Sequence, residues 1–210
     1  MYRRHKHFRE ITVTDLTRYS ELVIRQQVEQ LEIFTPFETA NRYSIHTSDG
    51  AQLMYAYEES GNMSRQFAGS HRALSMHVVD GNNNPVLNAS RDFFWFRSHL
   101  RVSVDGSQIG TLNRLFGLGR KFSLVDASER EITQMTSGLF RPHTFIAKNA
   151  SGGEMARVTK QWSGFGREMF TDADTFVVQF TDGSTDQEFR LLMLASAFAI
   201  DLDFFEGNND

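Results

Sequence analysis

The chain contains no cysteine. That absence removes disulfides, thiolate metal sites, cysteine nucleophiles and S-palmitoylation together, and it suits a reducing compartment. Proline occurs only 3 times, and no Ser-, Gly- or Pro-rich linker divides the 210 residues, so one domain is the simpler organisation. Charge of one sign is lacking too. The 22 basic and 26 acidic residues leave a formal charge of −4, too balanced to make nucleic acid a partner of the whole chain. No apolar run reaches the about 20 residues that span hydrocarbon. The opening Met1–Glu10, MYRRHKHFRE, is followed by no apolar stretch of signal-peptide length, which argues against secretion. Enzyme signatures are missing: the 7 histidines lack HExxH spacing, Ser163 lacks a G-x-S-x-G elbow, and no phosphate-binding or dinucleotide loop occurs. Covalent catalysis has no support.

What is present is an ordinary globular composition, 40% hydrophobic and 23% charged, with one excess: 19 Phe. A chain this long buries roughly 70% of its unfolded surface, and large flat side chains would fill that core or meet lipid. From Arg42 onward the pattern is alternation. Tyr43 and Ile45, then Leu53, Tyr55 and Tyr57, then Leu74, Met76 and Val78 read as strands with one wet face, and Leu100, Val102 and Val104 through Phe176, Val178 and Phe180 continue the series. Between them stand turn signals, including Ser48-Asp49-Gly50, Asp80-Gly81, Asp105-Gly106 and Ser151-Gly152-Gly153, so the strands join as hairpins. Their number suits a sandwich or a barrel. Glu21–Leu31 fits a helix or a strand equally.

Near the C-terminus the period breaks. Leu191–Ile200, LLMLASAFAI, is rich in good helix formers and has one polar residue, Ser196. A helix apolar all round belongs inside a protein or a bilayer, and this run, closed by Arg190 and by Asp201 and Asp203, is about half the length a bilayer needs. The residues Leu191, Leu192, Leu194, Phe198 and Ile200 are therefore expected to form a buried central helix. Asp201 and Asp203 would follow it at the negative end of the helix dipole, where a partner such as Arg167 or Arg190, or a cation, is expected.

Three segments stand in an informative order: Gln26-Gln27-Val28-Glu29, then Phe37-Glu38-Thr39-Ala40-Asn41-Arg42-Tyr43, then Lys160-Gln161-Trp162-Ser163-Gly164-Phe165-Gly166-Arg167-Glu168-Met169-Phe170-Thr171-Asp172-Ala173-Asp174. With the closing apolar helix and Phe204-Phe205-Glu206, the chain resembles the phospholipid scramblase family over most of Gln26–Glu206. The resemblance implies a mainly β, Tubby-like fold: a closed antiparallel β-barrel around a central hydrophobic C-terminal helix. It divides the chain into a basic tail at 1–20, one domain at 21–206 and a short tail at 207–210. It also implies calcium-stimulated, ATP-independent movement of phospholipid between leaflets, exerted peripherally at the cytoplasmic face of a membrane. The alternative is a soluble lipid-binding or protein-interaction module of the same fold that moves nothing.

The candidate sites follow from that resemblance and from the residues themselves. Asp172 and Asp174, with Asp182 beyond, match the segment assigned to calcium in the family and offer hard oxygen ligands, but as an EF-hand loop the segment is poor, with Phe176, Val177 and Gly183 at ligand or turn positions. Weak Ca2+ binding is the expectation, against a plain turn opening a strand. Where family members carry palmitoylated cysteines, this chain has Arg91-Asp92-Phe93-Phe94-Trp95-Phe96-Arg97. Phe93, Phe94, Trp95 and Phe96 between Arg91 and Arg97 are expected either at a membrane interface or in the core, and Arg3 and Arg4 of the basic tail would meet anionic headgroups.

Overall fold

The structure is a computed structural model that describes residues 14–27, 39–59, 73–92, 98–117, 119–161 and 174–205, with the backbone alone at 39–40. After a single 3-10 turn at Leu16–Arg18 the described chain is strand upon strand: β1 (Glu21–Gln26), β2 (Thr39–Thr47), β3 (Gln52–Glu59), β4 (Leu74–Asp80), β5 (Pro85–Arg91) and β6 (His99–Val104). They are followed by β7 (Ser107–Leu115), β8 (Lys121–Asp126), β9 (Glu131–Gly138), β10 (Arg141–Lys148), β11 (Glu154–Gln161) and β12 (Thr175–Phe180). Every strand pairs antiparallel with its sequence neighbours, and β1 closes the sheet on β12 from Glu21 opposite Gln179 to Arg25 opposite Thr175. Closure leaves no edge strand to be protected among the described residues. The first part of the ambiguous segment, Glu21–Gln26, is thus a strand with Leu22 and Ile24 inside, and 28–31 lie outside the described residues.

Antiparallel order gives the barrel two distinct ends. At one, short turns join β2 to β3, β4 to β5, β6 to β7, β8 to β9 and β10 to β11. Asp105 and Gly106, at φ of 49° and 76°, make the two-residue hairpin in which both positions must be left-handed. Three other turns are held by a strand-end carboxyl or amide. Asp80 Oδ1 accepts from the backbone N–H of Asn82 and Asn84, Asp126 Oδ1 from Ser128 and Arg130, and Asn149 Oδ1 from Ser151 and Gly153. The other end receives the connections after β1, β3, β5, β7, β9 and β11.

The barrel is filled by α1 (Gln187–Phe204). Asp186 caps it, its side chain accepting from Phe189 N at 2.8 Å, and Glu188 adds a first-turn negative charge. Every residue from Phe189 to Asp203 is buried, including Leu191, Leu192, Leu194, Phe198 and Ile200. Around the helix stand the inward side chains of the strands, among them Tyr43, Met76, Leu112, Phe122, Phe145 and Phe176. Of the 19 Phe, seven are buried in this core, while Phe116 and Phe140 are exposed. Where α1 passes β7, Gly110 makes room: a Cβ there would strike the Val125 carbonyl oxygen and lie 3.1 Å from both Leu192 methyls.

Alternation identified the strands but misjudged the phase of one. In β3 the buried residues are Met54, Ala56 and Glu58, while Leu53, Tyr55 and Tyr57 face outward. The segment before β1 also packs on the barrel. Leu16 is fully buried, and Gln187 stitches the segment to the helix, accepting from Leu16 N at 2.7 Å and donating to Thr14 O at 2.9 Å. Arg190 completes this join. Its guanidinium donates to Leu16 O, Tyr19 O and Thr185 O and lies 4.4 Å from the Phe180 ring centroid, so backbone oxygens and an aromatic face hold a buried cation whose pKa is lowered by desolvation.

Candidate functional site

The apolar run ends at Ile200, yet the helix continues to Phe204, which places Asp201 and Asp203 in its last turn and inside the barrel. Two carboxylates at the negative end of a helix, out of water, need positive partners. The strand ends supply them. Lys160, at the end of β11, reaches Asp201 Oδ1 at 3.3 Å and Asp174 Oδ2 at 2.5 Å, and the Tyr43 hydroxyl donates to Asp201 Oδ2 at 2.8 Å. Arg91, at the end of β5, pairs with Asp203 and donates to Ser98 Oγ at 3.2 Å, while Arg114 of β7 donates to the Asp203 carbonyl at 3.3 Å. Of the expected partners, Arg190 is at the opposite end of the helix, and Arg167 lies outside the described residues.

Burial pushes the carboxyls of Asp201 and Asp203 above the usual range, and the cations offset it: Lys160 for Asp201, Arg91 and Arg114 for Asp203. Beyond them, Phe204 and Phe205 close the end of the barrel as a ring platform. Phe204 packs on Phe122 and Phe145, with centroids 5.3 and 5.6 Å away. Arg114 and Arg120 lie 4.6 and 5.3 Å from the centre of Phe204, and Arg120 and Lys160 lie 4.7 and 4.2 Å from that of Phe205. His143 stands beside Phe205, its pKa lowered first by burial and then by Arg120 and Lys160. This constellation is a cationic collar around a helix end. Its chemistry is charge compensation and aromatic packing, arranged to pin α1 to six strands.

The expected metal ligands do not converge. Asp174 and Asp182 stand at opposite ends of β12, eight residues apart, or about 26 Å at 3.3 Å per residue. Asp174 is engaged by Lys160, and Asp182 holds a turn through Ser184 N and Oγ. Asp172 lies outside the described residues, among which no group of three His, Cys, Asp or Glu is placed to hold a metal ion. A shared Ca2+ site containing both Asp174 and Asp182 does not fit this fold.

Arg91, expected to face lipid, is 3% exposed and bound to Asp203, because it occupies the inward phase of β5 with Leu87 and Ala89. Phe93, Phe94, Trp95, Phe96, Arg97, Arg3 and Arg4 lie outside the described residues. Sequence reasoning missed Lys160, Tyr43, Arg114 and Arg120 as a group. A signal existed for Lys160, a cation in phase with Ala156 and Val158 on a face that is otherwise apolar. Glu58 carries the same signal on β3 and accepts from Asn41 Nδ2 at 2.8 Å. Among the described residues no helix is long and apolar enough to cross a membrane.

Comparison with known proteins completes the picture. A solved Arabidopsis thaliana protein superposes over 90% of this chain and 98% of its own, at 10% identity and a TM-score of 0.47. The chain is 28% identical to a phospholipid scramblase family protein of Schizosaccharomyces pombe over 88% of its length, and 28% identical to phospholipid scramblase 1 of Rattus norvegicus over 93%. Phospholipid scramblase family member 5 of Homo sapiens is 26% identical over 91%. The chain spans 59% and 63% of the length of the first two relatives and 76% of the third. The family model Scramblase matches residues 4–207, nearly the whole chain. With a closed barrel threaded by its C-terminal helix, and that match along its length, the chain belongs to the Scramblase family.

Proposed function

We propose that this protein binds phospholipid at a membrane surface and promotes ATP-independent movement of lipid between leaflets from the outside of its barrel. The observation that carries the route is the filled interior. A polar headgroup crossing hydrocarbon needs a polar path or a thinned bilayer, and α1 with its buried side chains occupies the space a conduit would need. Lipid would therefore be moved by local disturbance of the bilayer where the barrel sits on it. The cytoplasmic leaflet, rich in anionic lipid, is the surface this reading assigns. Calcium enters as a variable of the test, since the described members of the expected ligand set do not share a site.

Reconstitution with vesicles carrying a fluorescent lipid, assayed with and without calcium and without ATP, tests the proposal. Accelerated loss of inner-leaflet protection is expected. Binding without acceleration would make the protein a lipid-binding module of the same fold, and neither binding nor acceleration would remove the membrane from its function.

A further inference from the structure

The large hydrophobic side chains exposed among the described residues are Phe116, Leu139 and Phe140, at 67%, 88% and 95%. Isolated exposed hydrophobics are ordinary, but these three gather at one place. Phe116 follows β7 and Leu139-Phe140 form the turn between β9 and β10, two connections on the helix-exit end of the barrel with β8 between them. Bonds tie the two connections together: Ser137 N donates to Arg120 O at 3.0 Å, and Arg120 Nη1 reaches Pro142 O at 3.5 Å. The cluster is a tip that projects apolar side chains into solvent from a fixed frame.

The charge around the tip has one sign. No acidic residue occurs from Ser107 to Val125 or from Ile132 to Lys148, in a chain whose net charge is −4. Arg120, Lys121 and Arg141 stand in or beside the two connections, and none of the three forms a salt bridge among the described residues, whereas Arg114 is turned to Asp203. Exposed Leu and Phe flanked by Arg and Lys without salt-bridge partners is the chemistry of an anionic lipid interface: the apolar side chains enter the acyl boundary and the cations remain at the phosphates.

We infer that Phe116, Leu139 and Phe140 form a membrane-inserting tip, collared by Arg120, Lys121 and Arg141, which seats this end of the barrel on an anionic leaflet. The lowered pKa of Arg120, caused by burial and then by neighbouring Arg114, agrees with a collar that an incoming phosphate relieves. The inference rests on the membrane-surface reading above and assigns it a face, distinct from the aromatic segment at 93–96.

The absence of cysteine makes the test clean. Gly138 beside the tip and Gly81 at the opposite end both have open space where a Cβ would project. Gly138→Cys and Gly81→Cys, each labelled with an environment-sensitive fluorophore, are mixed with phosphatidylcholine vesicles with and without phosphatidylserine. The tip label is expected to brighten and shift to the blue on the phosphatidylserine vesicles alone, and the Gly81→Cys label to stay unchanged. Leu139→Ser with Phe140→Ser should weaken co-sedimentation about ten-fold, and Arg120→Gln or Arg141→Gln roughly five-fold each, with high salt mimicking the arginine variants. Wild-type binding with a silent tip label and undiminished partition of the Leu139→Ser/Phe140→Ser variant overturns this inference while the membrane reading stands. No vesicle binding by the wild type overturns both. Self-association that the double serine variant abolishes, with vesicle binding intact, assigns the tip to a second copy of the chain and overturns the lipid assignment.

Discussion

The two ends of this barrel solve the same problem, how to finish a closed sheet, with opposite chemistry. Where α1 begins, Asp80, Asp126, Asn149 and Asp182 turn their side chains back onto the N–H groups of their own turns, so each connection is closed locally and ends in water. Where α1 finishes, groups far apart in sequence meet: Tyr43, Arg91, Arg114, Lys160 and Asp174 converge on Asp201 and Asp203, and an apolar tip projects beside them. One end is thus closed piece by piece, and the other is held as a unit around the helix. Local turns tolerate change one at a time, whereas the exit end couples four strands and the helix through two buried acids.

The largest effect expected from breaking that contrast is at Arg91 and Asp203. Arg91→Met or Asp203→Asn strands a buried partner, and denaturant unfolding should show a loss of about 3–5 kcal/mol for either, with much of it recovered in Arg91→Met/Asp203→Leu. Next comes the helix passage. Gly110→Ala drives a methyl into the Val125 carbonyl and Leu192, and the same assay should register a cost of about 1–3 kcal/mol. Tyr43→Phe removes the hydroxyl that satisfies Asp201 and should cost about 1–3 kcal/mol while leaving the barrel closed, which far-ultraviolet circular dichroism checks.

The smallest expected effect is at the turn end and appears as a pH dependence. Asp126 is held below the usual carboxylate range by the Arg130 N–H, with help from the Arg130 guanidinium and Ser128. A depressed folded pKa gives stability that is present above the unfolded pKa and lost as pH falls through the folded one. Asp126→Asn should therefore be slightly less stable than wild type near neutrality and equal to it in acid. Asp203 has the opposite sign, since its raised pKa means that stability is lost as pH rises through the folded value. Carboxyl carbon-13 titration should place the two groups on opposite sides of the ordinary aspartate range.

Most of the barrel was legible because a strand's period of two survives in the sequence: Leu74, Met76 and Val78 face inward as alternation implies. In β3 both faces carry hydrophobics, and the smaller set, Met54 and Ala56, is the buried one because the outer Tyr55 and Tyr57 keep their hydroxyl groups near water. The plug was legible from its length and uniform apolarity. Its last turn was not, because Asp201 and Asp203 look like a stop signal until Lys160 and Arg91, 41 and 112 residues away, are brought to them. The tip was equally hidden: nothing in Gly138-Leu139-Phe140-Arg141 separates an exposed hydrophobic turn from a buried one until the barrel fixes which way it points.

α1 must be the interior of the barrel in solution and on the membrane alike. Ser196→Cys, the sole thiol in an otherwise cysteine-free chain and fully buried on the helix, measures this directly through its rate of reaction with a polar maleimide. The predicted result is labelling no faster than global unfolding, unchanged when phosphatidylserine vesicles are added. Prompt labelling of the native protein, or quenching of a fluorophore at this position by nitroxide-bearing lipid, would show the helix outside its barrel and contradict the account.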